Sequence, residues 1–353
     1  MPQRITIKDI AQETGLGIAT VSRALQGLPI VKEATRKRVH DAAQRLNYRP
    51  DAFARGLRAR RESNSQNAFK AVLGFLNIHA DRHEMYTSAR IRDYLKGAQK
   101  RADEWGYKLE EIWSFQPGVS GKRLSEILLA RGIHGVLLYG VPHITKDVQG
   151  WPLDWKQFSC VHVGGILPEL GFSYVQSDPF DRLSEIMDRL FKLGHRRIGV
   201  IYSHELDALR YRSRHASAYR FHIQNVPKAD QLPIFEQQAL RQLQCNRFSI
   251  TPQLSRWINR WKPSVLVGEN VRRLIEALTD AGYSIPQDLS VVHLLGAGDT
   301  ISGISENSRA IGYHATQLLI DAIVRNERGK PLHPVGLNIQ SHWVEGATLK
   351  RLK

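Results

Sequence analysis

The chain has 353 residues, 42% of them hydrophobic and 24% charged, which is long enough for more than one domain. Its 50 Lys and Arg outnumber 34 Asp and Glu for a net charge of +16, which favours acidic partners. No apolar run approaches the roughly 20 residues that span a bilayer, no signal-type segment precedes the first predicted element, and Cys160 and Cys245 lie too far apart to indicate a zinc site or a disulfide framework; a membrane protein and a secreted disulfide scaffold are excluded, and a cytoplasmic location is expected.

The first predicted element is a short helix beginning at Thr6, with Asp9 three residues on as its capping-box partner. Ile7, Ile10 and Ala11 give it one apolar face, and Gly15-Leu16-Gly17 ends it. A second helix, Ile18 to Leu25, can turn Val21, Ala24 and Leu25 inward. Two short helices joined by a glycine-containing turn are a helix-turn-helix signature, and such a unit sets its second helix in the major groove of DNA. In a third helix Val39, Ala42, Ala43 and Leu46 recur at i, i+3, i+4 and i+7 and can cover the first two. The other face of that helix carries Lys32, Arg36, Lys37, Arg38 and Arg45. Residues 1–61 hold 13 Lys and Arg against 5 Asp and Glu, a net +8, which is half the charge of the whole chain. A charged helix face can be merely solvated, but cations gathered on a three-helix unit point to a polyanion, and double-stranded DNA is the expected partner.

Thr6-Ile7-Lys8-Asp9-Ile10-Ala11, Ala19-Thr20-Val21-Ser22-Arg23, Thr35-Arg36 and Asn47-Tyr48-Arg49-Pro50 follow one another without a gap. In that order they resemble the LacI/GalR family of bacterial transcriptional regulators, with Ala54-Arg55-Gly56-Leu57 in the place of the family's Ala-Arg-Ser-Leu. The resemblance implies an all-α helix-turn-helix headpiece over residues 1–50, a hinge helix over 51–60 and a linker over 61–70. It puts Ile18, Ala19 and Arg23 where the family reads base edges. The guanidinium of Arg23 can pair bidentately with guanine O6 and N7, and Ile18 can meet only a thymine methyl or exclude water. Thr20 and Ser22 fit phosphate contact or helix packing equally. Thr6, Thr35 and Tyr48 position the DNA backbone rather than read sequence. Ala54 and Leu57 fall in the hinge helix, where Leu57 matches the leucine that wedges into the minor groove and kinks the duplex; an ordinary buried leucine is the alternative. Gly17 and Lys32 stand at helix N-caps where the family has Ser or another capping residue. Lysine cannot accept a backbone N–H and opposes the helix dipole, so a headpiece of modest stability is expected.

Beyond the polar stretch 61–70, apolar runs recur at 71–76, 135–138, 160–163, 198–201, 265–267 and 291–295. Between them lie helical faces: Ile91, Tyr94, Leu95, Ala98, Ala102 and Trp105; Leu183, Ile186, Met187 and Leu190; Val271, Leu274, Ile275 and Leu278. Short apolar strands alternating with amphipathic helices predict a parallel α/β sheet. Gly106, Gly132, Gly194 and Gly282 each follow a helical pattern and precede an apolar run, as helix-ending glycines do. His195 sits at such a corner and is read as structural, and the Trp257/Trp261 pair as packing. The family resemblance makes this region, 71–349, an effector-binding and dimerisation domain: a two-lobed periplasmic-binding-protein-like (type I) module crossed three times by the chain. Its N-lobe is expected over about 70–164 and 297–325, and its C-lobe over about 165–296 and 326–347. The effector belongs in the cleft between them. Asp178, His215, Asn270 and Asp299 stand nearest the family's ligand positions, but each is displaced or altered: Pro179 follows Asp178 in place of Asn, the family's Arg has no clean counterpart and His215 stands near its register beside Arg214, Gly268-Glu269-Asn270 is a shortened form of the usual Asn-Asp segment, and after Val291-Val292-His293-Leu294 the nearest acid is Asp299.

Enzyme signatures are absent: no Gly-x-x-x-x-Gly-Lys-Ser/Thr loop, no Gly-x-Ser-x-Gly elbow, and Gly296-Ala297-Gly298-Asp299 is too short for a dinucleotide fingerprint. His79, His83 and Glu84 have a weak metal spacing and are read as exposed loop residues. The expectation is therefore a non-enzymatic regulator, needing no cofactor or metal, that binds a pseudo-palindromic operator as a homodimer and answers to a carbohydrate-related small molecule. The alternatives are an effector-independent regulator with a vestigial cleft and a carbohydrate-binding protein or enzyme.

Overall fold

Ile10, Val21, Ala24, Val39 and Ala42 lose all their solvent exposure and make the core of a small helical unit. The computed structural model describes residues 7–25, 31–46, 48, 71–78, 88–140, 153–166, 170–202, 207–208, 212–236, 250–269, 271–295, 298 and 300–352. The chain divides into two compact units, Met1–Ala68 and Phe69–Lys353. In the first, α1 (Ile7–Thr14), α2 (Ile18–Leu25) and α3 (Glu33–Arg45) pack as their apolar spacing predicts, with Leu25, Ala43 and Leu46 at the rim of the core. Lys32 is the N-cap of α3 and makes no side-chain cap bond. Two cations expected on the outer face of α3 are used within the unit instead. Arg38 donates to the Thr14 carbonyl at 2.7 Å, where a cation satisfies the C-terminus of α1, and Arg36 donates to the Val31 carbonyl at 3.3 Å. Thr6, the hinge segment 51–60 with Ala54 and Leu57, the linker 61–70, Cys245, and the His79/His83 pair lie outside the described residues.

The second unit is built on two sheets. The first has the order β11 (Gly336–Asn338), β5 (Ser173–Gln176), β4 (Ser159–Val163), β3 (Gly135–Tyr139), β1 (Ala71–Asn77), β2 (Tyr107–Trp113), all parallel. The second has the order β12 (His342–Val344), β10 (Gly303–Ser305), β9 (Ser290–His293), β8 (Val265–Gly268), β6 (Ile198–Tyr202), β7 (Phe235–Glu236), parallel except for β12. The central strands are buried on both faces, which is why they read as continuous apolar runs: Leu137 packs on one side of its sheet, Val136 and Leu138 on the other. Helices α4 (Ala89–Glu104), α5 (Gly121–Ala130), α6 (Pro179–Lys192), α7 (Arg214–Ile223), α8 (Pro252–Trp261), α9 (Val271–Asp280) and α10 (Ser308–Val324) cover these faces. Gly106, Gly132, Gly194 and Gly282 end helices at φ 75°, 73°, 89° and 91°, the left-handed conformation the sequence predicts there. His195 is fully buried, with Nδ1 2.9 Å from Ser264 Oγ and Nε2 2.8 Å from the Lys350 carbonyl, so its role is structural.

The lobe boundaries differ from the sequence expectation. Residues 173–176 and 336–338 were expected in the C-lobe, but β5 pairs with β4 and β11 with β5, so both complete the first sheet. Residues 303–305 were expected in the N-lobe, but β10 pairs with β9 and β12 in the second. The crossings therefore fall at 177–178, 306–307 and 339–341. Each misplaced strand has three or four residues, too short to show a period of its own. The crossings are laced together: Ile339 N donates to the Gln176 carbonyl at 2.7 Å, and Asn307 Nδ2 to the Gln340 carbonyl at 2.6 Å.

Helices α4 and α10 touch backbone to backbone. A Cβ on Gly97 would stand 1.9 Å from the Arg309 carbonyl oxygen, and one on Gly312 would stand 1.9 Å from that of Tyr94. Nearer their other ends, Arg101 Nε donates to Gln317 at 2.6 Å and Tyr313 donates to Glu104 at 2.8 Å. This close crossing brings the amino ends of the two helices to the same place.

Candidate functional site

The helical unit presents one side of α2 outward. Val21 and Ala24 face the core; Ile18, at 50% exposure, and Ala19 and Arg23 face solvent. The Gly17 carbonyl starts the helix by accepting from Thr20 N at 2.9 Å and Val21 N at 3.0 Å. An exposed isoleucine beside an exposed arginine on a recognition-type helix is the mixture a major groove accepts: one apolar contact and one forked donor. Thr20 and Ser22 are half-buried at the edge of this face, so packing and phosphate contact are both open to them. Thr35 and Tyr48 are half-buried too, and Tyr48 packs on the core while its N–H donates to the Ala43 carbonyl at 2.9 Å.

The second unit holds a cavity of about 810 Å³ between its lobes. The first lobe lines it with the start of α4 (Ser88, Arg90, Asp93) and of α10 (Ser308, Arg309); the second lobe adds Glu269 and His293 at the carboxyl ends of β8 and β9 and Arg272 at the start of α9. A crevice outside strand carboxyl ends is the expected ligand position in parallel α/β sheets. His293 Nδ1 accepts the Leu295 N–H at 3.1 Å, which leaves the proton of the neutral ring on Nε2. Burial pushes His293 down to about 4, with Glu269 pulling the other way and Arg90 and Arg272 adding to the depression. His293 is therefore uncharged at neutral pH.

Behind the cavity lies a buried charged network that joins the lobes. Glu306, 2% exposed on the second crossing, accepts from Tyr94 of the first lobe and from Ser308 Oγ at 3.1 Å. Arg90 stands 3.8 Å from it and Arg182 of the second lobe 3.9 Å. Arg182, 1% exposed, also donates to the Ser177 carbonyl at 2.6 Å and to His215 Nε2 at 3.3 Å. On its other nitrogen His215 meets Asp207 at 3.0 Å. Burial raises Asp207, but hydrogen bonds from the His215 ring and from the backbone N–H groups of His215 and Ala216 outweigh it and hold the carboxyl below its ordinary range.

The structure describes two of the four effector residues read from sequence, Asp178 and His215. Asp178 is the N-cap of α6: it accepts Phe180 N at 2.8 Å, takes Arg214 as a fork at 3.0 and 2.6 Å, and accepts Asn338 Nδ2 at 3.3 Å. His215 is fully engaged in the buried network. Neither lines the cavity. Asn270 and Asp299 lie outside the described residues, although their neighbours Glu269, Gly298 and Thr300 line it. Arg90, Arg272, Arg309, His293 and Glu306 escaped sequence reasoning. The signal that could have found the arginines is their place, each second in its helix, where the helix dipole disfavours a cation.

A helix-turn-helix unit joined to a two-lobed α/β module with an interlobe cavity defines a ligand-responsive DNA-binding class of protein. The family model described as bacterial regulatory proteins, lacI family, matches residues 6–51, and the periplasmic binding protein-like domain matches 187–349, together more than half the chain. The chain belongs to the LacI family of transcriptional regulators, not to an enzyme family. It is 24% identical to the HTH-type transcriptional regulator KdgR of Bacillus subtilis (strain 168) over 92% of this chain and 93% of that protein. Among solved structures it resembles a CelR–cellobiose complex, with TM-score 0.60, 19% identity and coverage of 98% and 100% of the two chains. It also resembles the lac repressor dimer bound to operator and the anti-inducer ONPF, with TM-score 0.56, 17% identity and coverage of 98% and 99%. Among the described residues no helix is long and apolar enough to cross a membrane, and no cluster of His, Cys, Asp or Glu is arranged to hold a metal.

Proposed function

We propose that the protein is a cytoplasmic repressor that binds a pseudo-palindromic operator as a homodimer and releases or tightens that grip when a carbohydrate-related effector enters the interlobe cavity. The observation that carries this reading is the outward row Ile18, Ala19 and Arg23 on a helix whose opposite side is sealed in the core. In this reading Arg23 reads a guanine, Ile18 and Ala19 read thymine methyls, and Thr6, Thr20, Ser22, Thr35 and Tyr48 set the register on phosphates. Ala54 and Leu57 belong to a hinge helix that wedges the minor groove. Two structural relatives support the arrangement: one is a repressor dimer on its operator, the other holds cellobiose.

The test is a genomic binding selection with the full chain, repeated at several salt concentrations. Specific enrichment of an inverted repeat is expected, with affinity falling by about 0.9 log units per log unit of salt for each phosphate neutralised. Arg23→Ala should cost about 1–3 kcal/mol at one base pair of each half-site and leave non-specific binding in place. Equal affinity for all sequences would overturn the reading, and a uniform loss in Arg23→Ala would make that residue a phosphate contact.

A further inference from the structure

At three helix starts around the cavity the second helical residue is arginine: Arg90 on α4, Arg272 on α9 and Arg309 on α10. All three line the cavity, and they come from both lobes. None of these helices has an acid in its first turn. Helix electrostatics disfavour this arrangement, because the amino end already carries about half a positive charge. Elsewhere in the unit helix starts are satisfied. Ser120, Asp178 and Thr251 each accept an amide from the helix they cap, and Asp207 accepts His215 N and Ala216 N at the start of α7. At the cavity Ser88 makes no side-chain cap bond, and Asn307 commits its side-chain amide to the Gln340 carbonyl. The fold thus gathers three arginines from both lobes, and the amino ends of α4 and α10 that lack a side-chain cap, around a cavity wide enough for a sugar.

We infer that the cavity takes an anionic carbohydrate, a sugar bearing a phosphate or a carboxylate, its charged group held by Arg90, Arg272 and Arg309. This rests on the reading of the cavity as the effector site. An anion there offsets three cations and three helix ends at once, and forked arginine donors fit both phosphate and carboxylate oxygens. The carboxylates Asp93 and Glu269, on the same cavity, would accept sugar hydroxyls. The Nε2–H of His293 adds a neutral donor. Among the described residues no aromatic ring apart from that imidazole lines the cavity. Arg309 already meets Asp93 at 3.0 Å and Arg90 stands near Glu306, whereas Arg272 is exposed and has no ion-pair partner among the described residues. Arg272 is therefore the cation most available to a ligand, and its replacement disturbs the fold least.

The experiment is titration calorimetry of the full chain with matched pairs: a panel of sugar phosphates, the corresponding sugar acids, their neutral parents and cellobiose, each also scored for its effect on operator binding. At least one anionic sugar should bind about tenfold or more tightly than its neutral parent, the margin of one charge-assisted contact. Arg272→Gln should remove about that factor, and Arg272→Lys should keep much of it. The phosphate and carboxylate arms decide between the two sources of charge. Neutral sugars binding as tightly as anionic ones, or an Arg272→Gln variant with undiminished affinity for the anion, would overturn the inference and leave a sugar-responsive regulator standing. Operator binding indifferent to every sugar in the panel, with no heat of binding, would overturn the effector reading as well.

Discussion

His293 lines the cavity with a ring that burial keeps neutral, and that preference has a measurable consequence. A free histidine titrates near 6.5 and His293 near 4. Between those values the unfolded chain binds a proton that the folded protein refuses, so stability rises with pH across that window and is fully present above it. His134 and His195, both held low chiefly by burial, act in the same direction. Urea unfolding across the window should show stability falling toward acid, by at most about 1.4 kcal/mol per pH unit for each histidine. His293→Asn keeps an acceptor for the Leu295 N–H and removes the titrating ring, so its curve should be flatter. A variant with the wild-type slope would assign the pH dependence to other groups. Single residues were unevenly legible in the sequence. Arg23, Ile18 and His195 stand where local pattern put them, because helix period and a helix-ending glycine fix their surroundings. Asp178 and His215 do not meet the cavity, because what a polar side chain faces is decided by partners such as Arg214 and Asp207 that no local pattern specifies.

The contact between α4 and α10 places Arg90 and Arg309 on one cavity, and it depends on Gly97 and Gly312. Alanine would raise helix propensity by about 1 kcal/mol at either position. Against that gain stands a Cβ only 1.9 Å from a carbonyl oxygen of the facing helix, and backbone cannot turn aside as a side chain can. The clash wins: Gly97→Ala and Gly312→Ala should each destabilise the protein by about 1–3 kcal/mol or more, read as a lower midpoint in chemical denaturation. Gly17→Ser is the control, since nothing lies within 4 Å of its Cβ and serine is at least as good an N-cap, so it should be neutral or slightly stabilising. Unchanged stability in Gly97→Ala would mean that the helices are further apart. At this scale the sequence was most legible where one face of an element is buried. The three headpiece helices, the six apolar runs and the amphipathic helices all appear where their periods fall. Strands β7, β10, β11 and β12, at two or three residues each, gave no period to read, and β2 carries Lys108, Glu110 and Glu111 because it lies at a sheet edge. Placing β10, β11 and the four-residue β5 in the wrong lobe moved all three crossings.

A two-lobed sensor works only if ligand between the lobes changes how they stand, and Glu306 sits on one of the three crossings that join them. It is buried on the second crossing, accepts Tyr94 from one lobe and faces Arg182 from the other. Arg182 in turn holds the Ser177 carbonyl of the first crossing, so two of the three crossings share one charge network. The two buried charges face each other, and taking one away leaves its partner less compensated in the interior, at a cost of up to about 3–5 kcal/mol, whereas removing both is far milder. Glu306→Gln keeps the shape and removes the carboxylate charge that faces Arg182. We expect it to lower stability by about that amount, and the Glu306→Gln/Arg182→Met double variant to recover part of the loss, which a double-mutant cycle would register as a coupling of about 0.5–3 kcal/mol. The cycle should be run a second time on operator affinity with and without bound ligand. If the network transmits the lobe movement, Glu306→Gln narrows the ratio of the two affinities, because a ligand shifts a two-state protein only by its differential affinity for the states and the variant blurs the difference between them. Additive stability effects would mean that the pair is not coupled. An unchanged affinity ratio in a destabilised variant would leave the network as ballast for the fold and place the transmission in the first and third crossings, where Asp178 meets Asn338.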